Sequence, residues 1–258
     1  MNLTKTEAIN FLLHYQNINT GKKYISDSEI ISFIKKRVLF DWWDKNMCIL
    51  SLEDWPYFNR KRNACRHKYE KRNSEFKEVK SKIFKYLQKI EYISSSDIRI
   101  NKKVNWSWAP ANIVRAALES MYHSGELVIH HKKGPRKYYG LSCKLLPKRI
   151  MEKGDPNTND KKFKEWFIKR RINSIGLLWN KSGDAWLGCP CKKGERELCI
   201  KNMLLSDQLE KISIQGIDDS FYTDKKNITQ FKNTPLKSKT SFIECLNPKY
   251  ISAIFKKT

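Results

Sequence analysis

Apolar positions recur at helical spacing through most of the chain, and the recurrences stop at a few turn signals. Ala8, Phe11 and Leu12 share one face of a helix predicted over residues 2–16, with Thr4 or Thr6 to cap it. A second helix is predicted over 25–36, ISDSEIISFIKK, with Ser26 or Asp27 near the cap and Ile30, Ile31 and Ile34 on one side. The stretch 37–58, RVLFDWWDKNMCILSLEDWPYF, is dense in aromatics and broken by Pro56. The second half of 59–90 is amphipathic, with Val79, Ile83, Leu87 and Ile90 as its stripe. SSSDIRI (94–100) opens like a helix N-terminus with a Ser or Asp cap. In WSWAPANIVRAALESMYHSG (106–125), Pro110 suits a first helical position and Gly125 the position just past the end. Between them Ile113, Ala117 and Met121 lie four apart beside Val114 and Leu118, while Asn112, Arg115 and Glu119 fall on the other side.

The period then changes. GELVIHHKKGPRKYYGL (125–141) reads as two strands joined at Gly134-Pro135. Three helices followed by a basic hairpin is the plan of a winged helix, in which the third helix enters the major groove and the hairpin lies against the backbone. On that plan Leu127 and Ile129 pack under the helices, and Lys132, Lys133, Arg136 and Lys137 stay solvated and reach phosphate. Tyr138 and Tyr139 suit either place. The plan recurs in FKEWFIKRRINSIGLLW (163–179), ERELCIKNMLLSDQLEK (195–211) and ISIQGIDDSFYT (212–223), whose hairpin turns near Gly216 to Asp219. That second wing is acidic and reads as structural. KGDPNTND (153–160) is a linker. The Lys-rich tail 224–258 is weakly patterned, with TSFIECL (240–246) as a lone strand. The fold class is helix-rich α+β built from tandem winged-helix units, each a helix-turn-helix with a β-hairpin wing.

Charge sharpens this picture. The chain's 258 residues hold 51 Lys+Arg against 27 Asp+Glu, a net charge of +24. Such an excess repels itself in a compact state and points to a polyanionic partner, nucleic acid first and an anionic membrane surface second. The bases cluster: 12 Lys+Arg against three Glu in 59–90, and seven with no acid in 132–149. The N-terminus has no apolar core or cleavage site of a signal peptide, and no run of about 18 apolar residues exists to span a membrane. Seven scattered cysteines favour free thiols in a reducing cytoplasm, where the protein would sit on the nucleoid.

Candidate contacts to DNA are Asn112 and Arg115 on the third helix and His130, His131, Lys132, Lys133, Arg136, Lys137 and Tyr138 on the wing. Trp106 and Trp108 flank the helix entry and suit either stacking on bases or packing. His130 and His131 adjoin in a strand, where neighbours point to opposite faces, so they are not expected to share a metal. Cys189, Cys191 and Cys199 give C-x-C-x7-C with no fourth ligand nearby, so no metal is assigned to them. No Gly-rich phosphate loop is present. No cofactor is expected.

Three blocks carry a resemblance: LFDWWDKNMCILSLEDWPYF, WSWAPANIVRAALESMYHSGELVIHHKKGPRKYYGL and FKEWFIKRRINSIGLLWNKSGDAWLG. They resemble the winged-helix DNA glycosylases of the AlkZ/YcaQ type over roughly 3–36 and 37–223. The resemblance implies three winged-helix units and a C-terminal β-barrel, and metal-free hydrolysis of the glycosidic bond of alkylated or crosslinked bases. It also implies a catalytic Gln-x-Gln or Gln-x-Asp between the segments resembling 25–36 and 37–58, whose side chains activate the water that attacks the sugar. Here Lys36 runs straight into Arg37, and neither motif occurs anywhere in the chain. No catalytic residue is therefore carried over.

The segments then read as 1–58, a remnant of a first winged-helix unit; 59–152, a winged-helix DNA-binding unit; 160–223, a second complete winged-helix-like unit; and 224–258, a basic tail that starts a truncated C-terminal region. The expected function is duplex-DNA binding by a monomer, on damaged or distorted DNA, with catalysis lost and no role at a membrane. Two alternatives stand beside it. One is an active glycosylase using Asp41, Asp44 or Glu53 to activate water. The other is a winged-helix transcription regulator.

Overall fold

A computed structural model describes residues 1–15, 27–44, 47–70, 73–107 and 109–229. Ser26, Trp108 and the strand expected at 240–246 lie outside the described residues. The chain divides into two compact units, one formed by 1–24 with 157–258 and the other by 25–156. Residues 1–58, one segment in the sequence reading, are thus shared between the two. Among the described residues no helix is long and apolar enough to cross a membrane.

The unit of residues 25–156 begins with α2 (Asp27–Lys35), which follows α1 (Lys5–Tyr15) of the other unit in the chain. Three residues join α2 to strand β2 (Leu39–Trp43). Arg37 takes a left-handed φ of 55°, and the Arg37 and Val38 amides donate to the Ile34 and Phe33 carbonyls at 3.1 and 3.0 Å. These bonds close the helix end and turn the chain at once into the strand. β2 pairs antiparallel with β3 (Met47–Ser51), Leu39 opposite Ser51 and Trp43 opposite Met47. The aromatic stretch is therefore a hairpin, with Phe40 and Trp42 in the core beside Trp55.

The basic stretch after it forms α3 (Asn59–Glu70) and α4 (Asn73–Lys89). α4 buries Val79, Ile83 and Leu87 as the stripe predicts, and Phe76 beside them, whereas Ile90 falls past the helix end and is exposed. The helix expected to open at 94–100 is absent. The Ser94 amide and hydroxyl instead donate to the Asp97 carboxylate at 2.6 and 3.0 Å, a local turn that satisfies a cap but propagates nothing.

A short pair, β4 (Lys103–Val104) with β5 (Ala111–Asn112), leads into α5 (Ile113–His123). α5 starts later than Pro110 suggests, because Asn112 is the cap: its Oδ1 accepts from the Val114 amide at 2.8 Å. It ends as expected, with Gly125 at φ 80° and the Glu126 amide on the Met121 carbonyl at 2.9 Å. α5 is the axis of this unit; Val114, Ala116, Ala117, Leu118 and Met121 are fully buried. Strands β6 (Leu127–Lys133) and β7 (Arg136–Leu141) follow as the hairpin, then the short helices α6 (Ser142–Leu145) and α7 (Lys148–Met151).

In the other unit β1 (Asn2–Leu3) precedes α1 (Lys5–Tyr15). Thr4 and Glu7 form a capping box: the Thr4 amide donates to Glu7 Oε2 at 2.7 Å and the Glu7 amide to Thr4 Oγ1 at 3.2 Å. α8 (Asp160–Ile175), β8 (Leu178–Trp179), α9 (Lys193–Leu205), β9 (Leu209–Ile214) and β10 (Ile217–Asp224) complete it. The sheet order is β1-β9-β10-β8, with β1 parallel to β9. α8 and α9 end sooner than their apolar periodicity suggests, at Gly176 (φ 96°) and at Asp207 (φ 54°). The hairpin turns at Gln215-Gly216; Asp218 and Asp219 lie on β10 itself, at a bulge, and Asp219 pairs with Lys181 at 2.6 Å. Ala8, Phe11 and Leu12 pack with Leu177, Ile212, Ile214 and Phe221, so the first helix completes a core built from residues far along the chain.

That packing gives a direct test. Phe11 is fully buried in this cluster, so Phe11→Ala is expected to lower stability by about 3–5 kcal/mol in urea unfolding. A loss below about 1 kcal/mol would detach α1 from that core.

Candidate nucleic-acid interface

The β6–β7 hairpin is apolar at its root and basic at its tip. Leu127, Val128, Ile129, Tyr139 and Leu141 are buried. Lys133 and Arg136 face each other across the last pair, beside a Gly134-Pro135 turn in which Gly134 takes φ 57°. Both side chains are exposed, and among the described residues neither has a carboxylate partner. This is the placement predicted from the sequence.

The next pair down is different. Lys132 does not stand free: its Nζ sits on Asp41 Oδ2 of β2. Asp41 is only 3 % exposed, and its Oδ1 accepts from the Tyr122 hydroxyl of α5 at 3.2 Å. Hairpin, helix and β2 therefore meet at one carboxylate. Tyr122 is pushed well above the ordinary phenol range, by burial first and by Asp41 second. Lys137 lies half-buried with its Nζ 3.2 Å from Met47 Sδ, and burial lowers its ammonium. Of the four bases predicted at the turn, Lys133 and Arg136 stand exposed without an acid, Lys132 is exposed but held by Asp41, and Lys137 is half-buried.

The histidine pair overturns the opposite-faces argument. The ladder slips between Ile129 and His131, leaving His130 as a bulge. The two rings consequently meet, Nδ1 to Nδ1 at 2.8 Å. Tyr92 packs on both, at 4.7 and 4.8 Å between centroids, and Tyr138 stacks on His131 at 4.3 Å. Glu91 lies 3.2 Å from His130 Nε2. Burial, His130, Lys35 and Lys133 all hold His131 below its ordinary value. Tyr92 and Glu91 were not singled out from the sequence, because nothing in KIEYISSS signals that it borders a hairpin 40 residues on.

α5 shows little of itself. Asn112 is occupied at both ends, capping Val114 and donating to the Ile100 carbonyl at 2.7 Å. Arg115 is 64 % exposed and pairs with Glu119 at 3.0 Å. Trp106 stacks on Tyr69 at 5.3 Å and donates from Nε1 to Glu119 Oε2 at 2.5 Å, a packing role. Tyr69 in turn stacks on His123 at 6.0 Å and meets its Nδ1 at 3.0 Å. Burial presses the His123 imidazole down to about 4.

The three acids considered for water activation are all engaged. Asp41 is described above. Asp44 is buried 3.6 Å from Lys61, and Glu53 pairs with Arg149 at 2.7 Å. Among the described residues no group of three or more His, Cys, Asp or Glu is placed to hold a metal ion.

Comparison with known families matches residues 28–241 to the family described as DNA glycosylase AlkZ-like. Among solved structures the chain is similar to Streptomyces sahachiroi DNA glycosylase AlkZ, with a TM-score of 0.57 over 92% of this chain and 74% of that one, at 9% identity. That likeness speaks for the fold. A search of the curated proteins finds no match.

His123 makes the unit pH-sensitive. The unfolded chain takes up a proton near pH 6.5, whereas the folded imidazole resists it down to about 4. Stability from this group is complete above pH 6.5 and is lost as pH falls toward 4, by about 1.4 kcal/mol per pH unit. Urea unfolding between pH 7 and 5 is expected to show that slope, and His123→Asn to flatten it. An unchanged slope in the variant would place the titration elsewhere.

Proposed function

The chain belongs to the AlkZ-like DNA glycosylase family, and from that premise we propose that it binds duplex DNA, damaged or distorted, through its basic wing and does not itself excise bases. We read α3, α4 and α5 with the β6–β7 hairpin as a winged helix, and α1, α8 and α9 with the β9–β10 hairpin as a second. The observation that carries the binding half is the wing tip. Lys133 and Arg136 stand exposed and unpaired by acid, where a duplex backbone would meet them. Lys132 and Lys137 set the wing's angle from below, and His130, His131 and Tyr138 form its flank. Asn112 and Arg115 offer a narrow stripe for base edges. Trp106 serves by packing the helix entry.

The catalytic half rests on the joint between α2 and β2. Three residues, Lys36, Arg37 and Val38, span it. A joint so short has no place for the water-activating Gln-x-Gln or Gln-x-Asp that the resemblance implies there, and no such motif stands elsewhere in the chain. Asp41 and Asp44 are poor substitutes, because a general base must reach its water and both are buried in ion pairs.

Binding to a fluorescent duplex across a salt series tests the wing. Each phosphate contact adds about 0.9 to the slope of log K against log salt. Lys133→Ala with Arg136→Ala is expected to flatten that slope by roughly two units and to weaken binding to all sequences alike. An unchanged slope removes the wing tip from the interface.

A further inference from the structure

Three sulfurs converge in the unit that carries α8 and α9, and DNA binding has no use for them. Cys191 and Cys199 are buried in the cluster of Ile168, Ile172, Leu178, Trp186 and Met203, and half-buried Cys189 packs against it. The segment Cys189-Pro190-Cys191 leads into α9 and sets both side chains against that cluster, Cys189 half-exposed and Cys191 buried. Two guanidinium groups stand by, and both are fixed by main-chain oxygens of the same loop. Arg196 donates from Nη1 to the Cys191 carbonyl at 3.2 Å and lies over the Trp186 ring at 4.7 Å. Arg171 donates from Nη2 to the Leu187 carbonyl at 2.8 Å.

This arrangement gives the sulfurs different chemistry. Cys191 first, with Arg196 and Arg171 adding to it, pulls the Cys189 thiol down to about 7, toward the thiolate that attacks. Cys191 is pushed up, by Cys189 first and by burial second. Cys199 is raised by burial and by the Glu165 carboxylate. One sulfur is thus a half-exposed nucleophile, its neighbour two residues on is a buried, protonated thiol in the same cluster, and the third is inert. The geometry does not make a metal site among the described residues.

We propose that Cys189 and Cys191 are a peroxide-sensitive dithiol that closes reversibly to a disulfide, with Cys189 as the attacking sulfur and Cys191 as the resolving one. The Cys189 thiolate attacks one peroxide oxygen; the O–O bond breaks, an S–O bond forms, and hydroxide leaves. Cys191 then gives its proton to that hydroxide and its sulfur attacks Cys189; the S–O bond breaks and the S–S bond forms. The second hydroxide leaves as water with the proton from the first thiol. Two thiols and one hydrogen peroxide become one disulfide and two waters, the sulfurs supplying both electrons. A dithiol reductant reverses it by exchange. Closure fixes the loop that enters α9.

The test uses the reduced full chain and hydrogen peroxide, quenched by alkylation and read by peptide mass mapping. Cys189 and Cys191 are expected to lose alkylation together, in one peptide that has lost two hydrogens, at least about tenfold faster than exposed Cys143 is oxidised. Cys191→Ser is expected to stop at a sulfenic acid on Cys189 that dimedone captures. Cys189→Ser is expected to abolish oxidation at this site. Oxidation of Cys143 ahead of an untouched pair would overturn the proposal. So would a bond to Cys199, or a sulfenic acid on Cys191 in the Cys189→Ser chain.

Discussion

A carboxylate buried as deeply as that of Asp41 has to be neutralised where it stands, and the neutralising groups come from three elements. Lys132 reaches down from the hairpin, the Tyr122 hydroxyl comes across from α5, and β2 supplies the acid. Removing one partner of such a pair costs roughly 3–5 kcal/mol where the remaining charge stays buried. Any swing of the wing that lifts Lys132 would strand that charge. The wing's orientation is therefore set by electrostatics at its root, while the apolar pairs above α5 supply the adhesion. Its tip, beyond the Lys132–Lys137 pair, is left with two solvated cations and a tight turn. One segment thus separates into a rigid base and a charged end.

The same logic separates the two hairpins. On β9–β10 the exposed acids lie on a bulged strand, and one of them is paired with Lys181. A duplex backbone would be repelled there and attracted at Lys133 and Arg136. The net charge of +24 is a property of the whole chain, but its useful part is the small share that local acids do not neutralise.

Much of this was legible in the sequence wherever local physics decides. The apolar stripe of α4, the Gly125 end of α5 and the Gly134-Pro135 turn all follow from spacing and backbone preference. What escaped depends on partners far along the chain. A Ser-Asp pattern at 94–97 reads as a helix cap, but Asp97 folds back onto the Ser94 amide and hydroxyl, so it stays a turn. Strand alternation separates His130 from His131 until a bulge, invisible in composition, puts them side by side. α1 reads as the start of the first unit, yet its apolar face fits against Leu177, Ile212 and Phe221. Lys132 looked like its neighbours on the turn, and only the buried acid opposite distinguishes it. The site's charge was readable from the chain; its division into anchors and contacts was not.

The central claim is that the family's scaffold is kept for binding while the water-activating segment is gone. Single-turnover base release from an alkylated duplex, with protein in excess and binding followed in the same samples, tests it most directly. The account predicts that the duplex is bound and that bases are lost no faster than from free DNA. Release well above that background, from a complex of the same affinity, would contradict it and would mean that another group near the wing activates water.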